Sequence, residues 1–320
     1  MTTAAKKHRE PFNWKKHFKR YGAYYLMLVI PMAILIIFKY YPMYGIQIAF
    51  KNYRITKPME DCSWVGFKYF EKFFNYTRFW SILRNTLVIN LYSLATFPLS
   101  LILALLLNHL PYRKFVKCVQ NASYMPHFIS TVVLCAMVIQ FTNSQNGLIN
   151  ALLGLVGVPP VNYMAKKEYF YSLYVWSGVW QEVGYSSIIY IAALAGISPE
   201  LHEAAIVDGA SIVKRIWHID IPGILPTFML LLIMRCGSLL SLGYEKIILL
   251  QNSLNTEVSE VISSYSYNIS LNSSSPQFSY SAAIGLFTSL VNVVVLVSVN
   301  AIYNKLKQNS IWLGERSCKM

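Results

Sequence analysis

The sequence predicts an all-α membrane protein. Of its 320 residues, 55% are hydrophobic and only 13% are charged, which is about half the charged share of a typical soluble chain. The mean hydropathy is +0.41. Six apolar stretches recur along the chain, and five of them approach or exceed the ~18–20 residues that cross a bilayer as a helix. Six spans leave no room for a large soluble domain.

The apolar stretches predict one membrane domain at 21–303 with six transmembrane helices. A head at 1–20 precedes this domain and a tail at 304–320 follows it. The first apolar run is too long for the core of a signal peptide, and no small-residue cleavage site follows it, so we expect an uncleaved span. The predicted spans are 21–41, 84–108, 122–141, 171–195, 224–250 and 280–303.

Basic residues are distributed asymmetrically between the predicted loops. The net charge is +14, and sixteen Lys and Arg residues lie in the head, the tail and the loops at 109–120 and 197–222. The other three loops hold eight, although the loop at 41–79 is unusually basic for an outside loop. The positive-inside rule therefore predicts a multi-pass protein of the cytoplasmic membrane with both termini in the cytoplasm. Because these charges flank apolar spans, they indicate contact with membrane lipid and not with nucleic acid.

Sequence motifs for nucleotide, metal or acyl-transfer chemistry are absent. The sequence contains no G-x-x-x-x-G-K-[ST] phosphate loop, no HExxH and no GxSxG. Its five cysteines form no CxxC pair. We therefore expect no bound cofactor, no metal and no enzymatic activity.

The loop at 197–222 is the most polar long stretch of the second half. Ser198 and Pro199 form a helix start, and Gly209 is placed to end that helix because glycine adopts positive φ at low cost. Ser211 can cap a second short helix, which we expect Pro222 and Pro226 to end at the membrane. The pattern predicts a helix–glycine–helix elbow on the cytoplasmic side. From the physics alone, it is either a docking surface for another protein or an amphipathic loop that rests on lipid headgroups.

The spacing within this loop resembles the cytoplasmic loop of ABC-importer permeases, whose pattern is EAA, G, then I-x-L-P. Ile221 stands where that pattern usually has Leu. Other stretches also resemble the sugar-permease branch, in particular permeases for oligo- and polysaccharides related to the larger maltose-type subunit. They include FKYYPMYGIQIAFKNY at 38–53, SYMPHFIS at 123–130 and YIAALAGISPELHEAA at 190–205. The matching positions of the motif are Glu203, Ala204, Ala205, Asp208, Gly209, Ile219 and Pro222.

This resemblance implies a type I ABC-importer permease fold of six transmembrane helices with a cytoplasmic coupling-helix elbow. It also implies import of a carbohydrate by alternating access, with ATP hydrolysed by separate subunits. The implied partners are a second permease in a heterodimer, two ATPase subunits and an extracytoplasmic solute-binding protein. An ABC permease for a non-sugar solute remains an alternative, and so does a self-contained secondary transporter or scaffold.

Polar residues inside the spans are candidates for contact with the substrate, because such groups are costly to bury in lipid. We select Gln181, Glu182 and Tyr185 in the fourth span and Arg235 in the fifth as a tentative substrate path. Aromatic residues near span ends can instead be anchors at the membrane interface. Glu182 and Arg235 fall at similar depth on consecutive antiparallel helices, so they either form an ion pair, jointly line the sugar path, or have unrelated roles.

Overall fold

A computed structural model describes residues 14–317, and within this range the chain forms fifteen α-helices joined by turns and short irregular helices. Among these residues the β pairing is limited to an isolated bridge between Lys51 and Trp64. The prediction of a helical chain is confirmed. The helices of the first half are α1 (Trp14–Leu35), α2 (Lys68–Phe74), α3 (Phe79–Ala95), α4 (Pro98–His109), α5 (Arg113–Tyr124), α6 (Thr131–Phe141) and α7 (Leu148–Gly154).

The second half begins with α8, the long helix on which the polar candidates lie. Two short helices follow it, and the remaining helices return across the molecule. These elements are α8 (Lys167–Ala195), α9 (Pro199–Val207), α10 (Ile212–Arg215), α11 (Ile221–Cys236), α12 (Tyr244–Leu250), α13 (Thr256–Ser259), α14 (Ile262–Ser270) and α15 (Phe278–Ser317).

By length and composition, four helical segments can cross a membrane, and a bent pair can make a fifth. The four are His17–Phe50, Phe79–His109, Ile212–Cys236 and Phe278–Lys305. The 29-residue α8 is about 44 Å long, enough to span a bilayer, but its polar side chains keep it outside this group. The fold is thus a multi-span helical one, and the count of six stays a prediction.

The third predicted span, 122–141, is not one straight helix. Arg113–Phe128 and Thr131–Phe141 meet at 102°. Pro126 lies just before the bend, and the Ser130 hydroxyl accepts a hydrogen bond from the Val133 N–H at 3.4 Å, which starts α6 afresh. A proline next to a new N-cap explains why this apolar run changes direction.

The fifth predicted span, 224–250, is also wrong as a continuous helix. α11 ends at Cys236 and α12 begins only at Tyr244. The interruption is stabilised by Asn292 of α15, whose side-chain oxygen accepts from the Leu240 N–H at 2.9 Å and whose amide donates to the Ser241 hydroxyl at 2.8 Å. Unwound backbone at membrane depth needs such partners, because lipid offers none.

The head and the tail are helical as far as the structure describes them. α1 already begins at Trp14, inside the predicted head at 1–20, and α15 continues to Ser317 through most of the predicted tail at 304–320. Residues 1–13 and 318–320 lie outside the described range. The apolar window of the first span has 0% of its residues buried, whereas the other candidate spans are partly covered by neighbouring helices.

Three clusters of buried side chains hold the helices together. An outer cluster contains Phe73 and Tyr280, a central cluster contains Ile89 and Tyr174, and a third contains Ala104, Tyr190 and Ile224. The third cluster joins α4, α8 and α11 beside the 197–222 loop, because α8 ends at Ala195 and α11 begins at Ile221. The loop is therefore attached at both of its ends to helices that pack in this cluster.

Candidate functional site: an exposed elbow and a central cavity

The first helix of the loop forms where the sequence predicts it. α9 covers Pro199–Val207, and Ser198 has the extended backbone of an N-cap (φ −60°, ψ 127°), although its side chain makes no capping hydrogen bond. Pro199 fits the first turn, where its missing N–H costs nothing. We call the segment from the start of α9 at Pro199 to Asp220, just before α11, the elbow; α9 is its first leg, and its second leg is α10 with the π-helical segment at Ile216–Asp220.

The elbow turns at Gly209, which has φ +75°. The N–H of Gly209 donates to the Ile206 carbonyl at 3.0 Å, and the N–H of Ala210 donates to the Ala205 carbonyl at 2.8 Å. This pair of bonds is a Schellman motif, which satisfies the last carbonyls of α9. A side chain at Gly209 would meet no atom within 4 Å, so the corner needs glycine for its backbone and not for space.

The second leg differs from the prediction. Ser211 caps α10 by accepting from the Lys214 N–H at 3.4 Å, as expected, but Pro222 and Pro226 do not end the helix. A π-helical segment at Ile216–Asp220 leads directly into α11, with Pro222 in the first turn of α11 and Pro226 inside it. The wider π turn removes the requirement for an i→i−4 hydrogen bond that a proline cannot make.

The motif residues lie on a surface that this chain leaves uncovered. Glu203, Ala204, Asp208 and Gly209 are exposed, and Ala205 is half-buried. On the second leg, Ile219 is half-buried in the π segment and Pro222 is exposed at the start of α11. We expected Glu203 and Asp208 to make polar contacts either within the elbow or to an ATPase partner, and within the described residues neither forms a side-chain hydrogen bond or ion pair.

Exposed apolar side chains surround the Gly209 corner. Val207 is 87% exposed, and Ile206, Ile212 and Val213 are each at least half exposed. A contiguous apolar surface of this kind, rimmed by polar residues, marks an interaction site.

Sequence reasoning missed Asp220, which the structure buries completely. Its Oδ2 lies 2.6 Å from Nε2 of His109 at the end of α4, and its Oδ1 lies 3.3 Å from Nε2 of His202 in α9. The first contact is a hydrogen bond, and the second is a longer electrostatic contact without hydrogen-bond alignment. The available signal was a lone acid between two isoleucines in the sequence HIDIP at 218–222.

A cavity of about 670 Å³ lies among α3, α4, α8, α11 and α12. It is large enough for a small ligand and combines apolar walls with a few polar groups, as ligand sites do. Three of the four predicted path residues line it, and Tyr185 does not. Its polar lining comprises Ser93, Thr96, Ser100, Tyr174, Gln181, Glu182, Ser186, Arg235, Ser238 and Lys246.

The polar residues of α8 are fixed by the bend between α5 and α6. Gln181 donates to the Ile129 carbonyl at 2.8 Å, and the Glu182 carboxylate lies 3.1 Å from Nδ1 of His127. The His127 ring stacks on Tyr185, with centroids 3.8 Å apart and planes 4° apart. His127 thus holds both Glu182 and Tyr185, and its place in the SYMPHFIS stretch was the signal that could have identified it.

The basic residues of the cavity flank the interruption between α11 and α12. Arg235 lies one residue before the end of α11 and forms no ion pair within the described part of the chain. Lys246, which the sequence analysis did not select, donates to the Tyr174 carbonyl at 2.8 Å and lies 4.6 Å from the centroid of the Tyr174 ring. Gly178 makes room for it, since a Cβ there would come within 3.3 Å of Nζ.

Glu182 and Arg235 share this cavity but are not joined in the structure. The carboxylate of Glu182 has His127 as its ionic partner, and no contact with Arg235 within 4.0 Å is found among residues 14–317. Of the alternatives drawn from the sequence, the geometry agrees with two residues lining one cavity and not with an ion pair.

The comparisons with known proteins agree with this architecture. Residues 96–308 match the family described as the binding-protein-dependent transport system inner membrane component. Protein LplB of Bacillus subtilis (strain 168) is 37% identical over 320 residues, which cover 98% of this chain and 100% of LplB. The polygalacturonan/rhamnogalacturonan transport system permease protein YteP of the same organism is 38% identical over 289 residues, covering 90% of this chain and 89% of YteP.

Among solved structures, the chain is similar to a subunit of a bacterial ABC transporter involved in the import of the acidic polysaccharide alginate. The TM-score is 0.82 at 35% identity, with 91% of this chain and 98% of that chain covered. The same transporter in complex with an alginate pentasaccharide-bound periplasmic protein also matches at a TM-score of 0.82, with 34% identity over 92% of this chain and 98% of that chain. The chain belongs to the inner-membrane component family of binding-protein-dependent transport systems, whose members are transport subunits and not enzymes.

Proposed function

We propose that this chain is one permease subunit of an ATP-driven importer and carries an oligosaccharide across the cytoplasmic membrane by alternating access. The observation that carries the proposal is the connection between the elbow and the cavity. α8 lines the cavity with Gln181 and Glu182 and ends at Ala195, just before α9. α11 begins where the second leg ends and lines the cavity with Arg235 at its far end. A push on the elbow is therefore delivered to two walls of the cavity.

The exposed elbow supports docking of a separate ATPase subunit. Its corner is rigid, because the Schellman motif closes α9 and Ser211 caps α10 within three residues. Its surface combines exposed apolar side chains around Val207 with the unpaired acids Glu203 and Asp208. The first leg, α9 with Asp208, carries acids and no Lys or Arg, whereas a surface that only rested on lipid headgroups would favour basic residues. ATP hydrolysis then belongs to the partner, since this chain carries no phosphate loop.

The central cavity supports an acidic carbohydrate as the cargo. Aromatic faces and amide or hydroxyl groups suit sugar rings, and the cavity offers Tyr174, Gln181 and several serines. Glu182 already has His127 as a partner, which leaves Arg235 as an uncompensated charge facing the cavity. A guanidinium binds carboxylates in a bidentate fashion. YteP, by its name, serves polygalacturonan and rhamnogalacturonan, and the similar solved transporter imports alginate, so the relatives point to the same class.

Two further partners follow from uncovered surfaces. The apolar window of the first span is entirely exposed. A second permease in a heterodimer would cover one part of this apolar surface, and lipid would cover the rest. The segment 251–279 contains no basic residue and faces away from the elbow, so we assign it to the side that receives a solute-binding protein. Two ATPases, one for each permease, complete the proposed complex.

The proposed orientation places both termini and the elbow in the cytoplasm. Cys62, the one cysteine of an outer loop, is buried and donates to the Pro58 carbonyl, so it is a poor labelling target. A cysteine at the exposed Ser274 is a better one. We expect an impermeant thiol reagent on intact cells to label the Ser274→Cys protein but not Cys118. Labelling of Cys118, which is exposed in α5, without labelling of Ser274→Cys would invert the orientation.

The function is tested by purification and reconstitution. Affinity-tagged chain isolated in mild detergent should copurify an ATPase and a second permease. The complex in proteoliposomes containing ATP should then take up a short oligogalacturonate delivered by the solute-binding protein, and uptake of a maltooligosaccharide of equal length should be lower. Copurification without uptake of either sugar would favour an importer for a non-sugar solute. Uptake by the chain alone, without ATP, would establish a secondary transporter.

A further inference from the structure

We propose that His109, Asp220 and His202 form a latch that binds both legs of the elbow to the end of α4, so that the elbow moves as one body with the membrane helices. The inference rests on the proposed function, because it concerns how motion of an ATPase partner reaches the cavity. It assigns these three residues a positioning role in coupling, distinct from contact with the ATPase or the sugar.

The geometry of the latch joins three separate elements at one carboxylate. Asp220 ends the π segment and leads into α11, His202 lies in the middle of α9, and His109 is the last residue of α4. The two carboxylate oxygens are divided between the histidines, at 2.6 Å from His109 and 3.3 Å from His202. The centroids of the two imidazole rings are 6.3 Å apart and the ring planes are inclined at 64°. Each ring therefore occupies its own position beside the carboxylate.

Because the carboxylate is buried, its contacts with the two histidines affect the free energy of the folded state. Asp220 has 0% exposure, while the His109 and His202 side chains are 14% and 22% exposed. A buried carboxylate needs charged or hydrogen-bonding partners, and removal of one partner leaves a costly unpaired group. α9 has few other attachments, because it buries none of its residues. Within the described chain, the latch is thus the main polar contact that attaches α9 to other helices.

A nearby histidine provides an internal contrast. His218 lies two residues before Asp220 but is exposed, and its Nδ1 lies 2.9 Å from the Lys214 carbonyl within the same helical turn. Among the described residues its ring forms no hydrogen bond or ion pair beyond its own leg. Substitution of His218 therefore changes the local charge of the loop without changing how the loop is held.

The absence of the latch would leave α9 hinged at residues 196–198 and at Gly209. The second leg would still continue into α11, but α9 could swing independently of it. Movement of a partner bound to the elbow would then reorient α9 without moving α8 and α11. The expected defect is ATP hydrolysis without a matching amount of import, with the complex still assembled.

The test uses the complete transporter in proteoliposomes with its binding protein and radiolabelled oligogalacturonate. The measured quantity is the ratio of sugar imported to ATP hydrolysed. We expect Asp220→Asn and His109→Leu to lower this ratio about fivefold or more, the range of measurable coupling energies. We expect His109→Gln, whose amide can replace Nε2 as a donor, to recover much of the ratio, and His218→Gln to leave it unchanged.

Hydrogen exchange of backbone amides at 200–209 in the same complexes gives a readout independent of sugar. Exchange should be faster in Asp220→Asn and His202→Ala than in wild type, and unchanged in His218→Gln. Wild-type ratio and wild-type exchange in Asp220→Asn would overturn the latch. A wild-type complex that neither imports the sugar nor hydrolyses ATP would refute the proposed function instead, while the exchange result would still decide whether α9 is held by Asp220.

Discussion

The elbow and the segment 251–279 are built in opposite ways. α9 buries no residue and is held mainly at one buried carboxylate, Asp220. The segment 251–279 buries Val258, Val261, Ile262 and Tyr265 and belongs to the core. Under the proposed function the elbow keeps its surface free for a partner, and we call it the lever. The segment 251–279 is packed into the core and keeps its shape, and we call it the wall.

The wall is held by several hydrogen bonds to α3, whereas the elbow is held at the single carboxylate of Asp220. Asn85 is fully buried, and its amide donates to the carbonyls of Glu257 and Glu260, each at 2.9 Å. Its oxygen accepts from the Tyr171 hydroxyl at 2.8 Å. The Thr86 hydroxyl oxygen accepts from the Ile262 N–H at 3.1 Å. These bonds satisfy an irregular backbone where two short helices follow one another.

The largest expected effect is therefore on the wall. Asn85→Leu leaves two carbonyls and a tyrosine hydroxyl without partners, at a cost of about 3 kcal/mol or more in the free energy of unfolding. We expect a lower thermal midpoint of the purified protein and a lower yield in the membrane. Asn272→Leu, a matched change at an exposed position of the same segment, should leave both unchanged. An unaltered midpoint in Asn85→Leu would show that apolar packing alone holds the wall.

A change on the lever should affect partner binding and not stability. Val207→Asp places a charge at the centre of the exposed apolar surface, where interface residues typically contribute most. We expect affinity for the ATPase to fall about tenfold or more, measured by copurification, with an unchanged thermal midpoint. Val156→Asp is the matched control, since Val156 is 80% exposed in the loop after α7. Equal loss of ATPase in both variants would mean that Val207 is not at the interface.

The smallest effect concerns an exposed ion pair at the edge of the wall. A hydrogen bond from Lys167 at 3.0 Å lowers the pKa of Glu257 below its ordinary value of 4.5. A lowered pKa stabilises the fold above that value, and the contribution is lost as the pH falls through the lowered pKa. Because both side chains are exposed, Lys167→Ala should shift the thermal midpoint at neutral pH no more than Lys166→Ala does. A clear shift specific to Lys167→Ala, vanishing in acid, would give this pair a structural role.

The elbow and the interruption between α11 and α12 show what a sequence can predict. The start of α9, the corner at Gly209 and the cap at Ser211 follow from local rules and were predicted, whereas the continuation of the second leg through the π segment into α11 was not. The interruption at 237–243 was not, because its backbone is satisfied by Asn292, more than fifty residues further along the chain. The run at 224–250 therefore reads as one continuous span.

The residues of the cavity also fall into two groups, those that the sequence identified and those that it did not. Gln181, Glu182 and Arg235 were identified because polar groups stand out in apolar runs. Lys246 and His127 were missed, since their importance depends on contacts with Tyr174, Glu182 and Tyr185 across the fold. Asp220 was missed for the same reason: its partner His109 is 111 residues away in the sequence. Charge and capping are local signals, whereas partners of buried charges are not.

The central claim is that the fixed shape of the elbow transmits ATP-driven motion to the cavity, and Gly209 tests it most directly. At φ +75° a β-branched residue is strained by about 1–3 kcal/mol, whereas asparagine tolerates this region. The measurement is ATP-driven uptake of oligogalacturonate by reconstituted transporters with equal amounts of inserted permease. The account predicts that Gly209→Val inserts normally but loses most uptake, while Gly209→Asn retains it. Uptake by Gly209→Val at the wild-type rate would contradict the account.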